Sequence, residues 1–327
     1  MRNSPAGTPT NLRKNKPYRR NSMDAELNKI YIAGCGGMLG SDVYKIFSDK
    51  GVEVRATDVD INEVWLEEAD VRDFDKISRD IKEFNPDALI NLAAHTDLEY
   101  CEINISEAMA VNFGGAKNLA LISKDLNIPY IYISTAGIFD GEKDYYDDND
   151  LPNPLSIYGK SKYKGEQYVL NTSGKNYVFR AGWMMGGFEK DKKFISKIYH
   201  QLNMGHKSLY VVDDKLGTPT YTKDFANSLY LHLVNEAPYG LFNQVCRGSA
   251  SRYEVAVEFI KLLEVDVDIN IVKSDYFSQE YFAPRPRSEK LLNTRLDELN
   301  INYMREWKTC LKEYVNEIKG KEKHGAS

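Results

Sequence analysis

The chain has 327 residues, 42% of them apolar and 28% charged, with a formal net charge of −5. Such a length and balance fit one large or two modest domains around a real core, in an ordinary soluble globular protein. They exclude a global basic footprint for nucleic acid, and no apolar run is long enough to span a membrane. Cys35, Cys101, Cys246 and Cys310 are scattered without C-x-x-C spacing. They read as free thiols of a reducing compartment, the cytoplasm, and not as a disulfide frame or a zinc site; no metal cluster has convincing ligand spacing.

The first 22 residues carry Arg2, Arg13, Lys14, Lys16, Arg19 and Arg20, no acid, and Pro5, Pro9 and Pro17. No apolar stretch follows, so the segment reads as a disordered basic tail (residues 1–27) and not as a secretory signal; Met23 is a second candidate start. From Asn28 strands and helices alternate. Strands are expected at 29–33, 53–58, 88–92, 130–134 and 177–180, with helices from after Gly40 to about 50, from about 73 to 84, from about 106 to 126 and around Tyr158. This alternation predicts an α/β fold, a Rossmann-type doubly wound parallel sheet over residues 28–180. Beyond Arg180 the pattern loosens, with helices expected near 192–202, 222–235, 253–263 and 305–318. Residues 181–319 are therefore read mainly as a smaller C-terminal α/β substrate lobe, whose chain is free to cross back to the sheet. Residues 320–327 read as a frayed tail.

The first strand runs straight into Gly34-Cys35-Gly36-Gly37-Met38-Leu39-Gly40 and a helix. Glycines there allow a tight turn and close approach of backbone to a pyrophosphate, and the helix N-terminus adds free N–H groups. Strand, glycine turn and helix in that order form a dinucleotide site. Asp58 ends the second strand, where a carboxylate accepts hydrogen bonds from an adenosine ribose and repels a 2′-phosphate. The cofactor is thus NADH or NADPH, with Asp58 favouring NADH; Arg55 weighs against that tilt, and Asp60 competes for the same role. Asp70-Val71 is placed either at the adenine edge or, through Asp70, at the start of the next helix.

Tyr158 and Lys162 stand one helical turn apart, so both side chains share a helix face. An ammonium close to a phenol favours the phenolate, which would lower the tyrosine pKa towards neutrality. Ser134-Thr135 closes the preceding strand, at the carboxyl edge where ligands gather in open α/β sheets. Thr135 is expected to bind a carbonyl oxygen, Tyr158 to deliver a proton, and Lys162 to hold the tyrosine.

These pieces together resemble an extended short-chain dehydrogenase/reductase, and more narrowly the dTDP-4-dehydrorhamnose reductase family. The resemblance runs from about Lys29 to about Asn316. It rests on Gly34 to Gly40, Asn91 to Asp97, Val111-Asn112, Ser134-Thr135 with Ile138-Phe139-Asp140-Gly141, Tyr158 to Lys162 with Gly165-Glu166, Gly217-Thr218-Pro219-Thr220 and Arg285-Pro286. It implies reduction of the 4-keto group of a nucleotide-linked (dTDP favoured) 6-deoxy sugar, with Thr135, Tyr158 and Lys162 as the catalytic triad. It implies cofactor contacts from Gly34, Gly37, Met38, Leu39, Asp58, Asp70, Val71, Ala93, Ala94, Tyr158 and Lys162, and substrate contacts from Thr135, Ala136 and Trp183. His95 is expected to pack and not to catalyse, since the motif supplies it no carboxylate. A homodimer is compatible with an acidic enzyme of this type. The family usually follows its threonine with Asp-Tyr, whereas Ala136-Gly137 stands here. The nucleotide-sugar 4,6-dehydratases need acids at that place, so the substitution argues for reduction over elimination. Two other readings are an epimerase that recycles its nicotinamide and a non-catalytic subunit with this fold.

Overall fold

The structure, a computed structural model, describes residues 27–325. The expected basic tail and Met23 lie outside the described residues. The chain starts with β1 (Lys29–Ala33), α1 (Met38–Asp49), β2 (Glu53–Asp58), β3 (Leu66–Glu68), α2 (Phe74–Phe84) and β4 (Ala88–Asn91). Two short helices, α3 (Leu98–Ile103) and α4 (Ile105–Met109), lead through a π-helical turn at Ala110–Gly115 into α5 (Ala116–Leu126). Then come β5 (Tyr130–Thr135), α6 (Ile157–Asn171) and β6 (Asn176–Ala181).

A seven-stranded parallel sheet has the order β11-β6-β5-β4-β1-β2-β3, where β11 is Gly240–Asn243. Order reverses at β1, between β2 and β4, and this switch point opens a crevice at the carboxyl ends of the strands. Strand residues alternate between two cores. Ile30, Ile32, Ile90 and Ile131 pack with Val43 and Phe47 of α1 on one side. Tyr31, Leu89, Tyr130 and Tyr132 pack with Ile77 and Ile81 of α2 and Leu119 of α5 on the other. A sheet covered on both faces explains why these strands are apolar without interruption.

The remainder forms the lobe: β7 (Trp183–Met185), α7 (Phe194–Asn203), β8 (Ser208–Val212), β9 (Leu216–Gly217), β10 (Pro219–Tyr221), β12 (Ala250–Ser251), α9 (Arg252–Leu263), β13 (Asp268–Val272) and β14 (Ser288–Glu289). Between its pieces the chain returns to the sheet. Helix α8 (Thr222–Val234) packs on α1, and β11 pairs with β6 from Gly240↔Tyr177 to Asn243↔Arg180. Two helices follow the lobe, α10 (Thr294–Glu298) and α11 (Trp307–Gly325). The chain was read as frayed from Gly320, yet α11 continues to Gly325. Its last turns are held by Lys319 on Glu264 at 2.9 Å and by Lys321, 3.8 Å from the Phe188 ring centre.

Two further elements depart from the sequence reading. β3 is a three-residue edge strand, too short to carry a pattern. The helix expected over 106–126 is interrupted by the π turn, where Gly114 and Gly115 weaken the helix. A Cβ on Gly115 would overlap Val71, so the backbone must pass there bare. Within the same turn Asn112 donates to Ser161 Oγ at 2.9 Å and to the His95 carbonyl at 3.0 Å. It thereby fastens the turn both to α6 and to the loop after β4.

Between α6 and β6 lies a buried ion pair. Arg180 donates to Glu166 through Nε at 3.1 and 3.2 Å and through Nη2 at 2.6 Å, with the two side chains 2% and 1% exposed. Its remaining nitrogen Nη1 reaches the Asp148 carbonyl at 3.3 Å. Removing one partner of such a pair strands the other charge in the core, so Glu166→Ala should cost about 3–5 kcal/mol of stability, measured by urea unfolding against Glu166→Gln, which should cost less.

Candidate active site at the strand ends

The glycine turn is built for close approach. Gly34 has φ +76°, and a Cβ there would overlap the backbone of Ala93 on the neighbouring strand end. Gly34 and Cys35 N–H both donate to the Thr57 carbonyl, at 2.8 and 2.9 Å. Gly37 differs, because a Cβ on it would meet nothing within 4 Å. It is the N-cap of α1 and caps it with no side-chain hydrogen bond. A bare helix start facing open space is the cradle a pyrophosphate requires. Met38 packs against Gly187, and Leu39 is half-buried on the main core. Asp58 accepts from Gly36 N–H at 2.8 Å and from Asp60 N–H at 3.1 Å, so its carboxylate stands beside the turn. Asp60 itself is exposed and accepts from Asn62. Arg55 is three residues from Asp58 along β2 and so points to the other face, where it pairs with Asp80 at 2.8 Å.

Thr135, Tyr158 and Lys162 converge at the ends of β5 and α6. Ser156 caps α6 by accepting from Gly159 N–H at 3.1 Å, which sets Tyr158 on the first turn. Tyr132 donates to the Lys162 carbonyl at 3.0 Å, and its ring lies 4.3 Å below the Lys162 ammonium. A Cβ on Gly165 would collide with Tyr132, so glycine there lets the helix settle onto the strand. Burial pushes Tyr158 up to about 12, with a hydrogen bond from Thr135 partly opposing it. Burial likewise pulls Lys162 down to about 7, with Glu166 opposing. The expected downward shift of Tyr158 is therefore corrected: desolvation of the phenolate dominates, and what opposes it is Thr135 and not Lys162. The pair holds a protonated phenol beside an amine that exchanges protons near neutrality.

The lobe side of the cleft carries residues that sequence reasoning missed. Trp183 donates through Nε1 to Glu289 Oε2 at 2.7 Å, and the Arg252 guanidinium lies 3.6 Å from its ring centre. Room for the ring comes from Gly217, where a Cβ would overlap it. Glu289 and Arg252 come from β14 and the first turn of α9, and no local pattern links either to the Tyr158 helix. The acid absent after Thr135 is thus present in space: Glu289 Oε1 lies 3.6 Å from where a Cβ on Gly137 would sit.

Other expected site residues fall differently. Ala136 is 1% exposed and turns its methyl into a cluster with Ile138, Phe139 and Tyr146, because the chain makes a 3-10 turn there. Its neighbour Gly137 borders the cleft instead. Val71 is a core side chain, and its carbonyl accepts from Asn118 at 2.9 Å. Asp70 is bound by Arg72 Nη2 at 2.6 Å, and that guanidinium holds its carboxyl below the usual range; Asp73, not Asp70, caps α2. Ala93 and Ala94 are half-buried at the end of β4. His95 does have a carboxylate neighbour, Glu107, at 3.5 Å across the loop. Asp224, Cys246 and Cys310, far apart in sequence, come within 4.8 Å of one another. Arg305 already grips Asp224 through Nε at 2.9 and 3.1 Å, so the group reads as packed thiols beside an ion pair. Among the described residues no helix is long and apolar enough to cross a membrane.

A dinucleotide cradle at the switch point, with hydroxyl, phenol and amine at the adjoining strand ends, defines an NAD(P)-dependent oxidoreductase of the extended short-chain type. Residues 28–319 match the family described as RmlD substrate binding domain, and the chain belongs to that family. A dTDP-4-dehydrorhamnose reductase of Aggregatibacter actinomycetemcomitans is 30% identical, over 87% of this chain and 97% of its own. The crystal structure of a dTDP-4-dehydrorhamnose reductase from Clostridium acetobutylicum is 34% identical, with TM-score 0.80, over 89% of this chain and 99% of its own. That of the Bacillus anthracis reductase in complex with NADP is 25% identical, with TM-score 0.81, over 89% of this chain and all (100%) of its own.

The Lys162 shift has a sign that stability measurements can read. Its pKa falls from 10.5 unfolded to about 7 folded, so between those values the unfolded chain binds more protons. The penalty for burying the lysine is present in full below pH 7 and is relieved as pH rises from 7 towards 10.5. Lys162→Met should remove that rise, so the difference in unfolding free energy between the two proteins should shrink as pH is raised from 7 to 9.5.

Proposed function

We propose that the protein reduces the C4 keto group of a nucleotide-linked 6-deoxy-4-keto sugar, with dTDP as the favoured carrier and NADH as the favoured reductant. The observation that supports the reading is the Thr135 hydrogen bond to Tyr158, one helical turn before Lys162, in a chain of this family that also carries the Gly34–Gly40 turn. Gly34, Gly37 and the N–H groups opening α1 would hold the pyrophosphate, and Asp58 the adenosine ribose; the bound dinucleotide supplies the hydride. Thr135 and Tyr158 bind the carbonyl oxygen and stabilise the charge that develops on it. Tyr158, kept protonated by its burial, donates its proton to that oxygen, and Lys162 replenishes the phenol near neutral pH.

Asp58 beside the turn, with Arg55 engaged by Asp80 on the opposite face, supports NADH over NADPH. Asp58→Gly should move the ratio of kcat/KM for the two cofactors towards NADPH, read by absorbance at saturating sugar.

Tyr158→Phe should lower kcat by at least ~100-fold while NADH still binds, since loss of one such donor costs about 2.7–4 kcal/mol of barrier. The assay is NADH oxidation with a panel of nucleotide-linked keto-sugars, and a wild-type rate in the variant would sink the assignment. Consumption of one NADH per sugar supports reduction. Turnover without net consumption would point to an epimerase, and no turnover together with capture of a partner protein to a non-catalytic subunit.

A further inference from the structure

Glu289 has no place in the mechanism above, yet it borders the reacting group. Its Oε1 and the Thr135 Oγ1 lie 3.6 and 3.5 Å from the same point, the position a Cβ on Gly137 would occupy. Its other oxygen is anchored by Trp183 Nε1 at 2.7 Å, so the carboxylate is held in one orientation. Its charge reaches Tyr158 and Arg252, both of which feel it in their proton affinities. With glycine at 137, no side chain fills the point that Thr135 and this acid both border. A carboxylate is an acceptor only, and with one oxygen spent on Trp183, Oε1 has lone pairs directed to a partner.

We propose that Glu289 determines substrate specificity by accepting a hydrogen bond from the sugar substituent beside the reacting carbonyl. The inference rests on the reductase reading, because that reading puts the carbonyl oxygen between Thr135 and Tyr158. In a 6-deoxy-4-keto sugar the carbonyl carbon has two neighbours. C5 bears a methyl group, which has no proton to donate, so the partner is the hydroxyl on C3. A sugar lacking that hydroxyl leaves a desolvated carboxylate without its donor, a loss that binding sites built on hydrogen bonds register strongly.

The test compares two dTDP-linked 6-deoxy-4-keto sugars, one with the 3-hydroxyl and one 3-deoxy, on wild type, Glu289→Ala, Glu289→Gln and Trp183→Phe. Wild type should prefer the hydroxylated sugar by at least ~10-fold in kcat/KM, the scale of a charge-assisted hydrogen bond. Glu289→Ala should lose that preference through the hydroxylated sugar alone, keeping the wild-type rate on the 3-deoxy sugar. Glu289→Gln should retain part of the preference. Trp183→Phe removes the indole anchor and leaves the carboxylate, so it should weaken the preference without abolishing it. Equal loss on both sugars in Glu289→Ala would reduce Glu289 to a seat for the indole and overturn the assignment. An unchanged preference in Glu289→Ala would overturn it as well, with the reductase reading intact. Wild type inactive on both sugars would instead overturn the reductase reading, and this inference with it.

Discussion

The buried pair of Arg180 and Glu166 is the interaction on which the rest of the site depends. It clamps α6 to β6 where both pass beneath the cleft, and it extends in two directions. Towards the chemistry, Glu166 is the charge that opposes the desolvation of Lys162. In the other direction, Arg180 holds the Asp148 carbonyl, and Asp148 accepts in turn from the backbone N–H of Asn243, at the end of β11, and from that of Arg295, in α10, at 3.0 Å. Sheet, α6 and α10 thus share one polar network inside an otherwise apolar interior. Such networks are stable only when every member is satisfied, which makes their geometry narrow.

That narrowness bears on proton delivery. The proposed reduction needs a phenol that stays protonated until the oxyanion forms, and the burial that raises Tyr158 would supply one. The lysine one turn later is stripped of water by its burial, and that desolvation brings its own titration close to neutrality against the opposing carboxylate of Glu166. The two residues divide the work by environment, in the same way that paired groups elsewhere acquire opposite roles from unlike surroundings.

What the sequence made legible is whatever local chemistry writes down. The strand-turn-helix at Gly34, the acid ending β2 and the one-turn spacing of Tyr158 and Lys162 are all short-range patterns, and each appears in the structure where it was expected. The direction of the Tyr158 shift was misread because two neighbouring side chains say nothing about how much water the fold removes. Ala136 was placed at the substrate by its position next to Thr135, while a 3-10 turn sends its methyl inward. Glu289 and Arg252 were invisible, since only the return of distant chain brings them to Trp183. The π turn at Ala110–Gly115 is similar, its cause being the side chains that Asn112 meets across the fold.

The seventh strand has a consequence for how the protein is made. β6 is complete by Ala181, yet its outer edge is covered only by residues 240–243, after the first part of the lobe. During synthesis the first 180 residues would present an apolar, unpaired strand edge for the time it takes to translate about sixty more, at ~5–20 residues per second several seconds. An unpaired edge of that kind is a template for wrong partners. The nucleotide half is therefore no self-standing module: its sheet is finished by chain that has already built part of the opposite wall of the cleft, and folding of the two halves is one event.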